Sequence, residues 1–380
     1  MIDIATAQRV VDARLPAGFA LSEQIYSDPE IAFNEVRSAE RIVEMLRGEG
    51  AAVTAPAWGL PTAFVADTGS ARPCLALFSE YDALPLVGHA CGHNLIAAWS
   101  VVSFLALQDV SDILGIRVRL IGSPAEESGA GKQLIMDQGG LNDVDWAAMV
   151  HPAPQDVLLP NVLAMSRFYA RYLGVEAHAA AFPWRGRNAA DAATVAETAI
   201  GLLRQQMHPS DRVHTARRTS ESAVNVIPDR AAIECMVRST DDGALESLKT
   251  RVLDCFQAGA TATGTELHAE PAAPDYAAMQ HDLSLAALFR HAGREAEIDF
   301  LESEPLEAAG SGLVTISTDM GNISRRVPSI HPMIGIPTNS VNHQAAFADA
   351  CAGPEARAWI RRTAIATVLF AGRLTPREQT

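Results

Sequence analysis

A rhythm of short apolar runs and longer helical stretches, broken once and then resumed, limits the fold more than any other feature. Leu75–Phe78, Ile116–Ile121 and Trp146–Val150 read as strands, and Leu95–Leu107 and Lys132–Gln138 between them read as helices. Ser38–Arg47 has helical apolar spacing at Ile42, Val43 and Leu46, with Ser38 as the expected N-cap and Gly48-Glu49-Gly50 as the stop. Strand and helix in alternation imply an α/β layer: a mixed, mostly parallel sheet flanked by helices.

The rhythm changes near Arg167. Phe168–Val175, Asp211–Arg218, Ala231–Arg238 and Thr265–Glu270 read as strands, with helices at Asn188–Gln206 and Gly243–Gly259. Strand–helix–strand repeated twice suits a ferredoxin-like α+β unit, an open antiparallel sheet with two helices on one face. After Pro274 the first rhythm returns, with a helix at Asp282–Gly293, strands at Leu313–Ser317 and Met333–Ile336, and a helix at Pro354–Gly372. The expected organisation is one α/β domain formed by residues 1–167 and 279–380, interrupted by an inserted domain at 168–278. A length of 380 residues agrees with two cores rather than one.

Composition narrows the partners. A formal net charge of −15 opposes phosphate backbones and anionic bilayers, so neither nucleic acid nor a membrane is expected as a partner. Residues Met1–Ala5 lack a basic segment followed by an apolar core, so a cytoplasmic location is expected. The five cysteines are odd in number and scattered, and reduced thiols are expected.

Four clusters follow predicted strands, where loops converge in open α/β sheets. Glu80-Tyr81-Asp82 follows the first strand, and Asp82 could orient a ligand or be an ordinary turn residue. Gly88-His89-Ala90-Cys91-Gly92-His93-Asn94 offers a thiolate and an imidazole two residues apart, both good donors to Zn, Mn or Co, unless they are a buried thiol and a helix-start histidine. Ser123-Pro124-Ala125-Glu126-Glu127 places two carboxylates side by side. One can bind a metal while the other takes a proton from water, or both can serve as an acidic helix start. His151-Pro152 follows the third strand and is either a donor or a surface histidine. Co-occurrence favours one shared site over four unrelated explanations.

With these residues in place, the sequence resembles the dimetal amidohydrolases of the aminoacylase and glutamate carboxypeptidase family. It is similar above all to the subgroup holding auxin-conjugate hydrolases, hippurate hydrolase and p-aminobenzoyl-glutamate hydrolase. The stretches EYDALP (80–85), GHACGHN (88–94), GSPAEE (122–127), VHP (150–152), HAA (178–180), PWRGRNAADA (183–192), NVIPD (225–229), STDMGN (317–322) and NHQAAFADA (342–350) carry the resemblance in order along the chain. The resemblance implies two divalent metal ions bound by Cys91, His93, Glu127, His151 and His343, with Cys91 bridging. It implies Glu126 as general base and later proton donor, and His178 as stabiliser of the oxyanion from its own subunit or a partner's. It implies Asn225 and Arg238 as holders of the substrate. The inserted domain would be the lid and the homodimer surface. Glu80 stands where much of the family has histidine, and Asn94 where many subgroup members have aspartate, a change expected to alter hydrogen bonding around the donors.

The implied reaction is hydrolysis of the amide bond of an N-acyl amino acid or dipeptide. Deamination of an aromatic amine at the same site, or a catalytically silent binding protein on the same fold, are the alternatives.

Overall fold

The structure is a computed structural model that describes residues 2–70, 72–218, 223–300 and 315–374. The chain divides into two compact units, Met1–Asn161 with Met279–Thr380, and Val162–Ala278.

The first unit is built on a six-stranded sheet. In spatial order its strands are Val53–Thr54, Phe64–Asp67, Arg117–Gly122, Cys74–Ser79, Trp146–Ala148 and Ser329–Ile330. The first two junctions are antiparallel and the rest parallel. Every residue of Cys74–Ser79 is buried, as expected for a central parallel strand covered on both faces. The helix His93–Gln108 is buried from His93 to Leu107, so its sequence lacks a polar face. It packs against the helices Ile4–Ser27 and Pro354–Ala371 and against the strands Cys74–Ser79 and Arg117–Gly122. Gly18 permits the first of these crossings, since a Cβ there would lie 2.3 Å from Val102 Cγ2.

The sequence expectations for this unit hold within a few residues, with three differences. The helix expected from Ser38 starts at Val36, so Ser38 is no cap, and its hydroxyl and amide both donate to the buried Glu30 carboxylate. The strand expected over Trp146–Val150 stops at Ala148, and His151–Ala153 pairs separately, in parallel, with Met333–Gly335. Of the strand expected over Leu313–Ser317, Thr315–Ile316 is observed, while residues 313–314 lie outside the described residues.

The second unit is a four-stranded antiparallel sheet, ordered Arg212–Arg218, Arg230–Ser239, Ala164–Leu173 and Glu266–Pro271. Burial alternates along Arg230–Ser239, so one face of the sheet is covered. The helices Ala189–Leu203 and Asp242–Thr263 pack on each other and on this sheet. Phe168, Tyr172, Ile233, Val237, Leu248 and Phe256 form the core between them. Tyr172 takes its hydroxyl into that core and donates to the Phe256 carbonyl at 2.8 Å. Among the described residues, no helix is long and apolar enough to cross a membrane.

Candidate metal centre

The strand ends of the first unit bring the candidate donors together. Gly92, at φ +82°, forms the turn before the buried helix, and a Cβ there would lie 2.4 Å from Pro152 Cγ. Only glycine allows both that backbone and that approach. The same closeness sets Cys91 Sγ 3.5 Å from His151 Nε2. His151 is held from the other side, its amide donating to the Pro332 carbonyl at 3.0 Å.

Asp82 fixes the next pair. Its Oδ1 lies 2.9 Å from His93 Nδ1, and its Oδ2 accepts from the Glu127 amide at 2.9 Å. With Nδ1 committed to Asp82, His93 presents Nε2 to the cluster, the arrangement expected behind a metal-binding imidazole. That Nε2 is 3.9 Å from both Glu126 Oε2 and Glu127 Oε1. His343 comes from a loop, at φ +71°, and its amide donates to the Ala90 carbonyl at 2.8 Å. This places its Nε2 3.7 Å from Glu127 Oε1. The paired carboxylates owe their shared exit from the sheet to Ala125, at φ +59°, whose amide donates to Glu35 Oε1 at 2.8 Å.

Two groups of donor atoms result, Cys91 with His93 and His151, and Cys91 with Glu127 and His343, each with all atoms within 4.8 Å of one another. Cys91 belongs to both. A tetrahedral ion of zinc's dimensions would separate a thiolate sulfur and an imidazole nitrogen by roughly 3.6 Å, close to the Cys91–His151 spacing. His93 Nε2 and Glu127 Oε1 are buried without a hydrogen-bond partner among the described residues. Buried polar atoms are rarely left unmatched. The soft sulfur, imidazoles and carboxylate are the donor set that divalent transition ions prefer. On these grounds the residues present fit a pair of such ions.

Charge points the same way. Glu80 and Asp319 pair with the Lys132 ammonium, and Glu80, Asp82, Glu126 and Glu127 gather about the His93 imidazole. With the imidazoles neutral and the thiol protonated, that is a formal excess of four negative charges, which burial tolerates only with added cations or protons. Protonation is indeed favoured: burial and then the Glu80 charge push Glu126 well above the carboxylate range, and burial raises Glu127. Burial also pushes the Cys91 thiol up and lowers His151 to about 4. Burial opposes a charge on His93, but the Asp82 and Glu80 carboxylates outweigh it and raise that imidazole.

The remaining sequence candidates lie in the second unit. His178 and Asn225 are neighbours there. Ala177–His178 pairs antiparallel with Val226–Ile227, and the Ala179 amide donates to the Asn225 carbonyl at 2.9 Å. His178 Nδ1 accepts from the amides of Ala180 and Ala181, both at 3.2 Å. That fixes the tautomer with the proton on Nε2. Arg238 is half-buried in the strand Arg230–Ser239, opposite Arg212.

Asn94 Nδ2 donates to Ser22 Oγ at 2.9 Å and to the Cys351 carbonyl at 3.0 Å, while its Oδ1 is buried without a hydrogen-bond partner among the described residues. Sequence reasoning gave no role to Glu80, Lys132, Asp319 or His331. Lys132 is fully buried, pairing with Glu80 Oε1 and, at 2.5 Å, with Asp319 Oδ1. His331 is buried with its ring 5.8 Å from that of His151. Glu80 and Asp319 stand inside stretches that carried the family resemblance. Lys132 opens a helix as any surface lysine could, and nothing local marks it.

Comparison with known proteins adds to this geometry. A sequence profile of the peptidase dimerisation domain matches residues 166–263. The mouse Xaa-Arg dipeptidase is 35% identical over 380 aligned residues, covering 96% of this chain and 87% of that protein. One chain of the Escherichia coli p-aminobenzoyl-glutamate hydrolase is 31% identical, over 64% of this chain and 55% of its own length. Among solved structures, a Bacillus subtilis dinuclear metal-binding peptidase of the M20 family aligns with a TM-score of 0.67 at 21% identity. It covers 97% of this chain and 98% of its own, a likeness of fold.

Proposed function

Because the chain belongs to the M20 peptidase family, we propose that it hydrolyses the amide bond of a dipeptide or N-acyl amino acid at the centre formed by Cys91, His93, Glu127, His151 and His343. The observation that carries this reading is the convergence of those five side chains, from four separate stretches of sequence, beside a further carboxylate, Glu126. Divalent ions there would polarise the acyl carbonyl and make a water acidic enough to ionise near neutral pH.

The protein's own groups divide the remaining work. Glu126 takes the proton from the attacking water and returns it to the amine nitrogen as the bond breaks. His178 Nε2–H donates to the oxyanion, in its own subunit or the partner's. Asn225 and Arg238 bind the substrate's carboxylate, for which a guanidinium fork is well shaped. The dimerisation-domain match supports a homodimer built through the second unit.

A dipeptide ending in a basic residue is the first substrate to test, since the mouse relative is an Xaa-Arg dipeptidase and the charge of −15 favours approach of a cation. Aryl-glutamate conjugates are the second, and zinc, manganese and cobalt are the ions to supply. The deciding experiment is Glu126→Gln, which should keep its metal and lose turnover by roughly 10²–10⁴-fold. Undiminished activity in that variant removes the assignment.

A further inference from the structure

Beyond the five donors stands a carboxylate with no assigned part. Glu80 is fully buried at the end of the strand Cys74–Ser79. Its Oε1 is paired with Lys132. Its Oε2 lies 3.3 Å from His93 Nε2, yet neither atom has a hydrogen-bond partner among the described residues. At that distance an aligned N–H would make a bond. These two atoms are near each other without being aimed at each other, as two lone pairs converging on a third point would be. An imidazole nitrogen and a carboxylate oxygen on one tetrahedral zinc-sized ion are separated by roughly 3.3 Å.

A structural Glu80–Lys132 ion pair accounts for Oε1 alone. It leaves a second carboxylate oxygen buried and unmatched, which proteins rarely permit. Lys132 is itself held in place by Asp319, whose Oδ2 also accepts from the Lys132 amide at 2.9 Å. The clamp therefore orients one oxygen and leaves the other for a cation.

We propose that Glu80 is a sixth metal-binding side chain, which completes the coordination of the ion held by His93 and is aimed by Lys132 and Asp319. His93 is the member common to the group with Cys91 and His151 and to a further group with Glu80 and Glu126, each within 4.8 Å. The two groups share His93 alone, so an ion on its Nε2 that takes donors from both must draw Glu80 Oε2 closer to Cys91 and His151 than it lies without one. The two metal positions then differ in kind. The His93 position has four protein donors, all buried, which is a closed set. The Glu127–His343 position has three, one of them the exposed His343, and keeps a place for water or substrate.

This inference rests on the donor assignment of the preceding section, and the test separates the two. The purified protein is loaded with Co²⁺, and the release of bound metal to a chelator is followed together with the cobalt ligand-field spectrum. Wild type should hold two ions and release them in two phases. Glu80→Gln preserves shape and can still accept from Lys132. It should accelerate the slow phase at least tenfold and change the spectrum of the retained ion, with its metal-free melting temperature close to wild type. Glu80→Asp, which keeps the charge but shortens the reach, should give an intermediate rate. His343→Ala should lose only the fast ion. A Glu80→Gln protein with an unchanged slow phase and spectrum overturns the role of Glu80 while leaving the other donors standing. A Cys91→Ala protein that still binds two ions overturns the donor assignment itself.

Discussion

In the first unit most of the candidate functional groups are sunk into the core, the exposed His343 being the exception. His93 is fully buried against Asp82, and Lys132 is fully buried between Glu80 and Asp319. In the second unit His178 and Asn225 are exposed, carried by a pair of two-residue strands at the margin of the fold. The contrast separates two ways of building a site. Donors that must converge to within tenths of an ångström are set by packing, so each is also part of the stability of its unit. Groups that meet a substrate need access, so they contribute little to folding and can be changed at small structural cost.

The largest effect that follows from this contrast is on stability. Lys132→Met strands two buried carboxylates, and removing one partner of a buried ion pair costs roughly 3–5 kcal/mol. Denaturant unfolding of the metal-free protein measures it. The counterpart in the second unit is Arg217, which lies 2.6 Å from Glu197 with both side chains partly exposed. Arg217→Met should cost less than about 1 kcal/mol. Equal costs for the two substitutions would break the contrast.

The next effect is on turnover. His178→Ala should lower kcat by roughly 10²–10³-fold, the usual loss for a missing oxyanion donor. Metal content and melting temperature should stay as in wild type, because the side chain is exposed and its hydrogen bonds among the described residues are to the neighbouring Ala180 and Ala181 amides. A large fall in melting temperature would show that His178 is structural.

These two variants also mark how far the sequence could be read. Most elements were legible because binary patterning is a local property. The helix His93–Gln108 showed itself as the apolar run Leu95–Leu107, interrupted by Ser100 and Ser103, and the strand Arg230–Ser239 as alternation. Cys91, His93, Glu126, Glu127 and His151 could be suspected from their places after predicted strands. His343, His178, Asn225 and Arg238 could not, since each is locally an ordinary loop or surface residue, and only the family resemblance singled them out. Lys132 and Asp319 are separated by 187 positions, and their pairing is a property of the tertiary fold alone.

A smaller effect depends on pH. Glu35 is fully buried, and burial, then the nearby Asp82 charge, raise it from 4.5 to about 7. The folded state therefore holds this proton more tightly than the unfolded chain. The stability it contributes is fully present below about pH 4.5 and is lost as pH rises through about 7. Glu35→Gln keeps acceptors for the Phe33 and Ala125 amides but cannot ionise. Wild type should thus lose up to about 3 kcal/mol relative to this variant across that window. Melting curves of both proteins from pH 4 to 8 test this, and a pH-independent difference contradicts it. The result bears on the first unit, since Glu35 supports the turn that carries Glu126 and Glu127.

The smallest effect is a control on the comparison itself. Asp241 caps the helix Asp242–Thr263 of the second unit, accepting from the Ala244 amide at 2.8 Å. Asp282 caps the helix Leu283–Glu295 of the first unit, accepting from the Leu285 amide at 2.9 Å. The chemistry is the same, and each aspartate satisfies an amide that the helix cannot. Asp241→Ala and Asp282→Ala should each cost about 1 kcal/mol. If the depth of the functional groups is the main way in which the two units differ, both costs should fall near the usual cost of a lost N-cap. A cost confined to Asp282→Ala would show that the first unit amplifies every local loss. The large penalty expected for Lys132→Met would then owe more to a tightly coupled core than to the two carboxylates it leaves behind.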